Sequence, residues 1–184
     1  MRKLKLYIAA SINGKIAKKD GSVQWLDELP NPANDDYGYA KFYDSIDTTV
    51  MGAATHRQVV GWGIDYPYVG KKNYVLTRDK NQPSHPHVEY ITSNHDQFVK
   101  SLKMKTGKDI WLVGGGQVNS LLLTRELIDE IHVYYMPIVL ETGIDLFDCN
   151  IKNQELELLS SESYRSGVIG AVYAVKKSSF KTGI

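Results

Sequence analysis

The chain has 184 residues, of which 42% are hydrophobic and 23% are charged, and its formal net charge is +1. These values predict one domain with its own hydrophobic core, and the balanced charge excludes a general attraction to nucleic acid or acidic membranes. The single cysteine, Cys149, excludes an intrachain disulfide, and no segment approaches the roughly 18 apolar residues of a membrane span, so we expect a cytoplasmic protein.

Strand patterns alternate with helix patterns over the first two thirds of the chain, and strands alone follow. The last two strands, 156–164 and 168–175, are joined by a short turn and predict a hairpin. This order predicts an α/β fold with a mostly parallel central sheet, an antiparallel C-terminal hairpin and about four flanking helices. We expect a single domain over residues 1–177 and a short tail over 178–184.

Three consecutive glycines stand between a buried strand pattern and a helix pattern. The strand is 110–113, the glycines are 114–116, and Val118, Leu121 and Leu122 have helical spacing. Glycine lets a ligand approach the backbone, and a helix N-terminus offers free N–H groups and the positive end of a dipole. The run therefore predicts either a phosphate-binding turn or a tight turn that binds nothing, and the residues alone do not separate these interpretations.

A second strand–glycine–helix unit precedes this one. Residues 48–51 are predicted as a strand, Gly52 ends it, and Thr55 places a hydroxyl at the start of the following helix. A further strand, 74–77, is followed by Arg78. Ligands of parallel sheets lie at the carboxyl ends of the strands, so we expect these residues and the three glycines at one edge of the sheet.

Two tryptophans lie on predicted loops, and each has two interpretations. Trp25 follows a long polar loop, and it either closes over a ligand or anchors the loop in the core. Trp62 lies on an aromatic, glycine-rich loop, where it either forms a wall for a flat ligand or anchors that loop.

Six short motifs occur in order along nearly the whole chain. They are Ser11-Ile12-Asn13-Gly14-Lys15-Ile16-Ala17, Val50-Met51-Gly52-x-x-Thr55, Lys72-Asn73-Tyr74-Val75-Leu76-Thr77-Arg78, Val113-Gly114-Gly115-Gly116, Asp129-Glu130-Ile131-His132 through Pro137-Ile138-Val139 with Leu146-Phe147, and Tyr164-x-Ser166-Gly167. Together they resemble the dihydrofolate reductase-like superfamily, and more closely the branch related to the reductase domain of bacterial riboflavin biosynthesis. The resemblance implies the three-layer α/β fold of that superfamily.

The resemblance also implies that the protein binds NADPH and transfers its hydride. The cofactor-binding residues that it implies lie at strand ends and helix starts: Ala10, Ile16, Gly52, Thr55, Thr77, Arg78, Val113, Gly114, Gly115, Gly116 and Gln117. Residues 114–117 would hold the pyrophosphate, and Ala10 and Ile16 would flank the nicotinamide. Arg78 would pair with the 2′-phosphate that distinguishes NADPH from NADH; the alternative is a solvated arginine after a strand.

The substrate that the resemblance implies is a pterin-, folate- or aminouracil-type heterocycle, such as 5-amino-6-(5-phosphoribosylamino)uracil. Three aromatic residues, Trp25, Tyr39 and Trp62, would stack on its flat ring. Relatives in the riboflavin branch tend to be dimers, so we expect a homodimer, with no nucleic acid, membrane or metal as a partner.

Hydride transfer to a C=N or C=O bond needs a proton at the neighbouring heteroatom. In dihydrofolate reductases a carboxylate at the start of the first long helix supports this step, and Asp36 takes that place here. We therefore predict Asp36 as the catalytic and substrate-binding carboxylate, with a surface cap of the helix as the alternative. Asn34 or Asp35 is predicted to be the N-cap of the same helix.

Two positions depart from the family pattern. Asn13 stands where an aspartate is usual before the first-loop glycine, and Ala53 stands where relatives often carry an arginine that contacts the cofactor phosphates. The loss of this cation weakens the argument for NADPH over NADH. A function from a different class therefore stays open, namely a dinucleotide-binding or pterin-binding module without efficient turnover.

Overall fold

The computed structural model describes residues 1–148 and 151–177, so Cys149 and the predicted tail 178–184 lie outside the described residues. The strands are β1 (Leu4–Ser11), β2 (Lys15–Ala17), β3 (Ile46–Gly52), β4 (Lys72–Leu76), β5 (Glu89–Ile91), β6 (Asp109–Gly114), β7 (Glu130–Met136), β8 (Ile144–Asp145), β9 (Leu156–Ser163) and β10 (Ile169–Val175). The helices are α1 (Tyr39–Asp44), α2 (Ala53–Gly61), α3 (His95–Met104) and α4 (Gly116–Thr124), with a 3₁₀ turn over Gln24–Leu26. Within the described ranges, no helix has the length and apolar character that crossing a bilayer requires.

Eight of the strands form one sheet in the order β5-β4-β3-β6-β1-β7-β10-β9. The six strands from β5 to β7 run parallel to one another, whereas β10 is antiparallel to β7 and β9 is antiparallel to β10. The short strands β2 and β8 pair separately. The predicted α/β fold, with its mostly parallel sheet, antiparallel hairpin and four helices, is confirmed.

The helices cover both faces of the sheet, because alternate residues of a strand point to opposite sides. On one face, a core cluster joins α1 and α2 to the sheet through Phe42, Val59, Met51, Val75 and Trp111. On the other face, a larger cluster joins α3 and α4 to the sheet through Val99, Leu102, Leu122, Leu6 and Leu112. A strand buried on both faces reads as a continuous apolar run, which is why residues 110–113 of β6 are recognisable as a strand in the sequence.

The start of α1 differs from the prediction, because neither Asn34 nor Asp35 caps this helix. The Asn31 side chain donates to the Asp35 carbonyl (2.9 Å) and accepts from the Asp35 N–H (3.0 Å), which holds the preceding segment as a turn. Asn34 itself has a φ of +52°, and Gly38, with a φ of +77°, is the N-cap. The prediction of Asn34 or Asp35 as the N-cap is therefore wrong.

A buried ion pair joins α3 to the segment before β7. The Lys103 ammonium is 3% exposed, donates to the Leu127 carbonyl at 2.7 Å and forms a salt bridge with Asp129. Asp129 also accepts from the Leu4 N–H at 2.8 Å. Burial alone would raise the pKa of Asp129, but hydrogen bonds from Lys103 and Lys177 outweigh it and hold this pKa below its usual range.

We expect Asp129→Asn to lower the free energy of unfolding by about 3 kcal/mol at pH 7, because it leaves the Lys103 ammonium buried without a charge partner. The loss should shrink as the pH falls through the folded-state pKa of Asp129, where the wild-type carboxylate is itself protonated.

Urea unfolding followed by circular dichroism measures this loss. The matched control is Asp96→Asn, which breaks the exposed Arg125–Asp96 contact of 3.9 Å and should cost no more than about 1 kcal/mol. Equal stabilities for the two variants would contradict the conclusion that the buried Lys103–Asp129 ion pair stabilises the fold.

Candidate functional site

Two helices begin side by side at the same edge of the sheet. Helix α2 follows β3 directly and α4 follows β6, and these strands are parallel neighbours. Their N-cap residues are Gly52 and Gly115, and no side chain caps either helix among the described residues. The first-turn N–H groups of a helix have no intrahelical acceptor and carry the positive end of the dipole. The two uncapped starts therefore bring two sets of first-turn N–H groups to the same edge of the sheet.

The two helix starts are in contact, and glycine is what allows this approach. The Thr55 hydroxyl donates to the Gly114 carbonyl at 3.2 Å. A Cβ on Gly115 would lie 3.0 Å from the Thr55 hydroxyl, and a Cβ on Gly52 would lie 3.0 Å from Val118 Cγ2. Gly114 and Gly115 also have φ values of +119° and +94°, which side chains rarely tolerate. The positive φ values therefore favour glycine at 114 and 115, and the missing side chains of Gly52 and Gly115 let the two helix starts approach closely.

The small β2–β8 ladder lies against the start of α4. A Cβ on Gly116 would lie 2.3 Å from the Asp145 carbonyl of β8, and the Asn119 amide donates to the Leu146 carbonyl at 2.9 Å. Ile16 lies in β2, which pairs with β8. The structure therefore brings Ile16 and the glycine run, two separate parts of the predicted site, to the same end of the sheet.

Thr77 and Arg78 follow β4, the neighbour of β3 on the outer side. Thr77 is buried, and its hydroxyl accepts from the Asp79 N–H at 3.1 Å. Arg78 is exposed, and its guanidinium forms no ion pair with any residue of the described ranges. The Arg78 guanidinium, which has no ion pair there, thus lies at the carboxyl edge of the sheet, one strand away from the starts of α2 and α4.

A cavity of about 300 Å³ opens at the carboxyl ends of β1 and β7, between these strands and the 3₁₀ turn. Its lining includes one acid, three phenols and apolar side chains, among them Asp27, Tyr7, Tyr37, Tyr134, Ala9 and Met136. Ala10 faces the opposite side of β1, where it is fully buried in the larger core cluster. We call the cavity at these strand ends the tyrosine cavity; one of the strands that line it, β1, is the neighbour of β6, which ends in the glycine run.

The phenols of the tyrosine cavity are held by one another and by the backbone. The Tyr7 hydroxyl donates to the Tyr37 carbonyl at 3.0 Å, and the Tyr37 hydroxyl donates to Ser166 Oγ at 3.1 Å. The rings of Tyr7 and Tyr134 have centroids 4.9 Å apart. Burial raises the pKa of both Tyr7 and Tyr134, so both are neutral hydrogen-bonding groups at physiological pH.

Asp36 lies outside the lining of the tyrosine cavity. Its carboxylate is exposed and accepts from the Gly38 N–H (2.8 Å) and the Ala40 N–H (3.0 Å). The hydrogen bonds from Ala40 and Gly38 lower the pKa of Asp36. This geometry matches the alternative interpretation, in which Asp36 caps the start of α1, and its catalytic role stays a prediction.

The three predicted stacking residues have different environments. Trp25 is only 1% exposed and packs among Met136, Leu140 and Val168, which matches the interpretation that it anchors the loop. The Tyr39 ring is partly exposed and lies 6.0 Å from the Tyr7 ring, but Tyr39 does not line the tyrosine cavity. Trp62 is 44% exposed at the end of α2, and it does not line the tyrosine cavity.

The structure explains the unusual Asn13. Its amide nitrogen donates to the Leu140 carbonyl at 2.7 Å, and its amide oxygen accepts from the Leu140 N–H at 3.1 Å. An aspartate has no donor for the first of these bonds. Asn13 therefore ties the first loop to the segment after β7 through both polar groups of one residue.

Sequence reasoning did not single out Asp27, Tyr7 and Tyr134, which line the tyrosine cavity. Two signals were available. Tyr7 and Ala9 alternate on one face of β1, opposite to the core-facing Ala10, and Asp27 follows Trp25 so closely that an anchored tryptophan fixes its position.

Residues 2–169 match the model of the RibD C-terminal domain family. The chain belongs to this family. The match spans nearly the whole chain, as the six ordered motifs predicted, and the resemblance to the reductase branch of riboflavin biosynthesis is confirmed.

Two relatives of the RibD C-terminal domain family cover almost the full chain. The uncharacterized protein YwjB of Bacillus subtilis (strain 168) is 35% identical over 167 residues, which is 91% of this chain and 95% of YwjB. The crystal structure of a putative riboflavin biosynthesis protein from Shewanella sp. PV-4 is 27% identical, with a TM-score of 0.84, and covers 95% of this chain and 99% of that one.

Two more distant structures share the fold. A diaminohydroxyphosphoribosylaminopyrimidine deaminase/5-amino-6-(5-phosphoribosylamino)uracil reductase from Thermotoga maritima is 16% identical with a TM-score of 0.69, over 95% of this chain and 57% of that one. Dihydrofolate reductase from Enterococcus faecalis, complexed with NADP(H) and RAB-propyl, is 18% identical with a TM-score of 0.69, over 95% and 97% of the two chains. The predicted dihydrofolate reductase-like fold is confirmed.

We expect Gly115→Ala to weaken the binding of inorganic pyrophosphate by about tenfold or more, because the new Cβ would displace the Thr55 hydroxyl and remove hydrogen bonds to a charged ligand. Isothermal titration calorimetry measures this affinity.

The matched control is Gly70→Ala. Gly70 has a similar φ of +87°, but a Cβ there would meet no atom within 4 Å. The control should bind pyrophosphate as the wild type does, although it carries similar backbone strain. Equal affinities for the two variants would show that the anion does not bind at the paired helix starts.

Proposed function

We propose that this protein is an NADPH-dependent reductase that transfers hydride to a pterin-, folate- or aminouracil-type heterocycle. One observation carries this proposal: two uncapped helix starts lie in contact beside a cavity lined by aromatic residues, on neighbouring strands of a parallel sheet. A nicotinamide dinucleotide has a diphosphate at its centre and a reactive ring at one end. The same layout in the protein would place that ring next to a second, flat molecule.

The residues present fit this cofactor. Backbone N–H groups of 115–117 would hold the diphosphate, because they lie at the start of α4. The Thr55 hydroxyl would contact it by turning its proton from the Gly114 carbonyl to the phosphate. Arg78 would pair with the 2′-phosphate, since its exposed guanidinium has no ion pair with the described residues. The short side chain of Ala53 adds no charge, so Arg78 is the residue on which the preference for NADPH depends.

The known structures support the same assignment. The dihydrofolate reductase of Enterococcus faecalis shares this fold and was crystallised with NADP(H). The Thermotoga maritima protein, which carries a reductase function in its name, shares the fold as well. When bound, NADPH would supply the hydride, and the residues of this chain would bind, orient and enclose the two rings.

The tyrosine cavity suits a small heterocycle in size and polarity. Its volume of about 300 Å³ lies at the lower end of the range for small-molecule sites. Aromatic side chains give such sites apolar walls, while hydroxyl groups fix the orientation of a ring. The neutral phenol of Tyr134 would donate a hydrogen bond to a ring oxygen or nitrogen, since burial keeps it protonated.

We expect NADPH to quench the tryptophan fluorescence of the wild type, and we expect Arg78→Ala to raise the NADPH dissociation constant by about 10–100-fold, the value of one or two charge-assisted hydrogen bonds. The dissociation constant of NADH, which lacks the 2′-phosphate, should change by less than about threefold.

Arg125→Ala is the matched control, because Arg125 is also an exposed arginine and lies at the opposite end of α4 from the glycines. It should leave both affinities unchanged. If neither dinucleotide binds the wild type at high micromolar concentration, the proposed function is wrong.

A second measurement separates turnover from binding. The oxidation of NADPH is followed by its absorbance in the presence of a panel of pterins, folates and aminouracils. Because the Asp36 carboxylate lies outside the tyrosine cavity, a binding module without efficient turnover is the specific alternative. NADPH binding without oxidation by any member of the panel would favour that alternative.

A further inference from the structure

Three histidines and two tyrosines form a cluster where α2 meets β5, the edge strand of the sheet. The ring centroid of His56, in α2, lies 5.1 Å from that of His85 and 6.1 Å from that of Tyr66. His87 lies 5.8 Å from His85 and stacks on Tyr66 at 5.5 Å, and Tyr90 of β5 lies 5.6 Å from His56. None of these five residues lines the tyrosine cavity. We call them the histidine cluster.

The histidine cluster joins two segments that contain no helix or strand. Tyr66 belongs to the segment 62–67, which follows α2, and His85 belongs to the connection 78–86 between β4 and β5. The Tyr66 and His85 rings also contact each other, with centroids 5.1 Å apart. Both segments therefore pack against His56, and against each other, through the rings of this cluster.

The far ends of the two segments are fixed by a residue that does not titrate. The Asn73 side chain is buried, and its amide donates to the Tyr68 carbonyl at 3.1 Å and to the His87 carbonyl at 3.0 Å. An amide keeps these hydrogen bonds over the pH range in which histidine gains a proton. An opening of the cluster would therefore leave the sheet and these two anchors in place.

The environment of His56 suits only the neutral ring. His56 is 5% exposed, its Nε2 has no hydrogen-bond partner among the described residues, and its Nδ1 lies 3.5 Å from the Tyr90 hydroxyl. A protonated ring would bury a charge together with an N–H group that has no acceptor. Burial, and then the charges of His85 and Arg57, lower the pKa of His56.

No acid in the described part of the chain offsets a positive charge on His56, since no carboxylate there is among the groups that shift its pKa. Each of the two segments carries an acid outside the cluster. Asp65 is exposed, and Asp79 accepts two hydrogen bonds within its own segment, at 2.9 and 2.6 Å. Burial raises the pKa of both phenols, that of Tyr66 to about 12, so Tyr66 and Tyr90 stay neutral.

We propose that the histidine cluster is a pH-sensitive lock, which holds the segments 62–67 and 78–86 on α2 while its histidines are neutral and releases them when the histidines are protonated. Positive rings on His56 and His85, at 5.1 Å, would repel each other in a partly buried site. Because the connection 78–86 begins with Arg78, the release would also move the cation of the proposed cofactor site. The lock itself does not depend on the proposed function.

The lock is closed at neutral pH and opens in acid. The pKa of His56 in the closed state is lowered, so the open state binds more protons and gains stability as the pH falls. Closure is therefore complete above about pH 6.5, the pKa of histidine in an unfolded chain, and is lost as the pH falls below this value.

Nuclear magnetic resonance on the full chain tests the lock, because one sample reports both the protonation of His56 and the motion of the two segments. We expect backbone order parameters of about 0.85 for residues 62–66 at about pH 7.5, and values below about 0.6 at about pH 5. Residues 78–82 should respond in the same way. Helix α3, outside the cluster, should keep about 0.85 at both pH values.

Two variants identify the residues responsible. His56→Phe keeps a flat ring of similar size and loses only the long contact with Tyr90, so both segments should stay ordered in acid. His85→Glu places an acid beside His56, which should raise the pKa of His56 relative to the wild type and also keep the segments ordered.

The control is His132→Asn. His132 is a partly buried histidine whose pKa is also lowered by burial, but it lies in β7 with its Nε2 3.0 Å from Glu130. Its replacement should leave the acid response of the two segments as it is in the wild type.

Each opposite result overturns the inference. Wild-type segments that stay ordered at about pH 5, a His56→Phe variant that loses order there, or a His56 pKa no lower than that of an unfolded histidine would do so. A loss of order that includes α3 would show general acid unfolding and would contradict a local lock. If His56→Phe fails to fold, His85→Glu decides, because loss of order in this variant at about pH 5 contradicts the lock.

Discussion

The contact between two helix starts is the constraint on which the rest of this site depends. A Cβ on Gly52 would lie 3.0 Å from Val118 and a Cβ on Gly115 would lie 3.0 Å from Thr55, so these neighbours would have to shift. The contact brings two sets of free N–H groups to one place at the carboxyl edge of the sheet. Any substitution that separates the helices would therefore disrupt the proposed diphosphate site as well as the packing.

The order of the strands then determines what lies beside the anion site. Strand β6 carries the glycines, and β1, its neighbour, carries Tyr7 and Ala9 on the face that opens into the tyrosine cavity. On the other side, β3 and β4 lead to Thr55 and Arg78. One edge of the sheet thus presents, in order, the Arg78 guanidinium, the two uncapped helix starts and the tyrosine cavity. This order of groups is the one that the proposed dinucleotide, next to a small ring, would need.

The sequence predicted those parts of the molecule that depend on local signals. Gly52, the glycine run and the C-terminal hairpin were recognisable because strand, turn and helix patterns stand next to one another in the chain. The environments of Trp25 and Asp36 could not be recognised in the sequence, because burial and hydrogen bonding at these positions depend on residues from several elements. The start of α1 was misplaced for the same reason: Asn31 holds Asp35 in a turn that competes with helix formation. The cofactor, the substrate class and the homodimer stay predictions.

A crystal structure of the protein with NADPH bound tests the central claim most directly. The account predicts that the diphosphate contacts the N–H groups of 115–117 and the Thr55 hydroxyl, with the 2′-phosphate at Arg78 and the nicotinamide at the entrance of the tyrosine cavity. A diphosphate bound elsewhere on the protein, or a nicotinamide separated from this cavity by the sheet, would contradict the account.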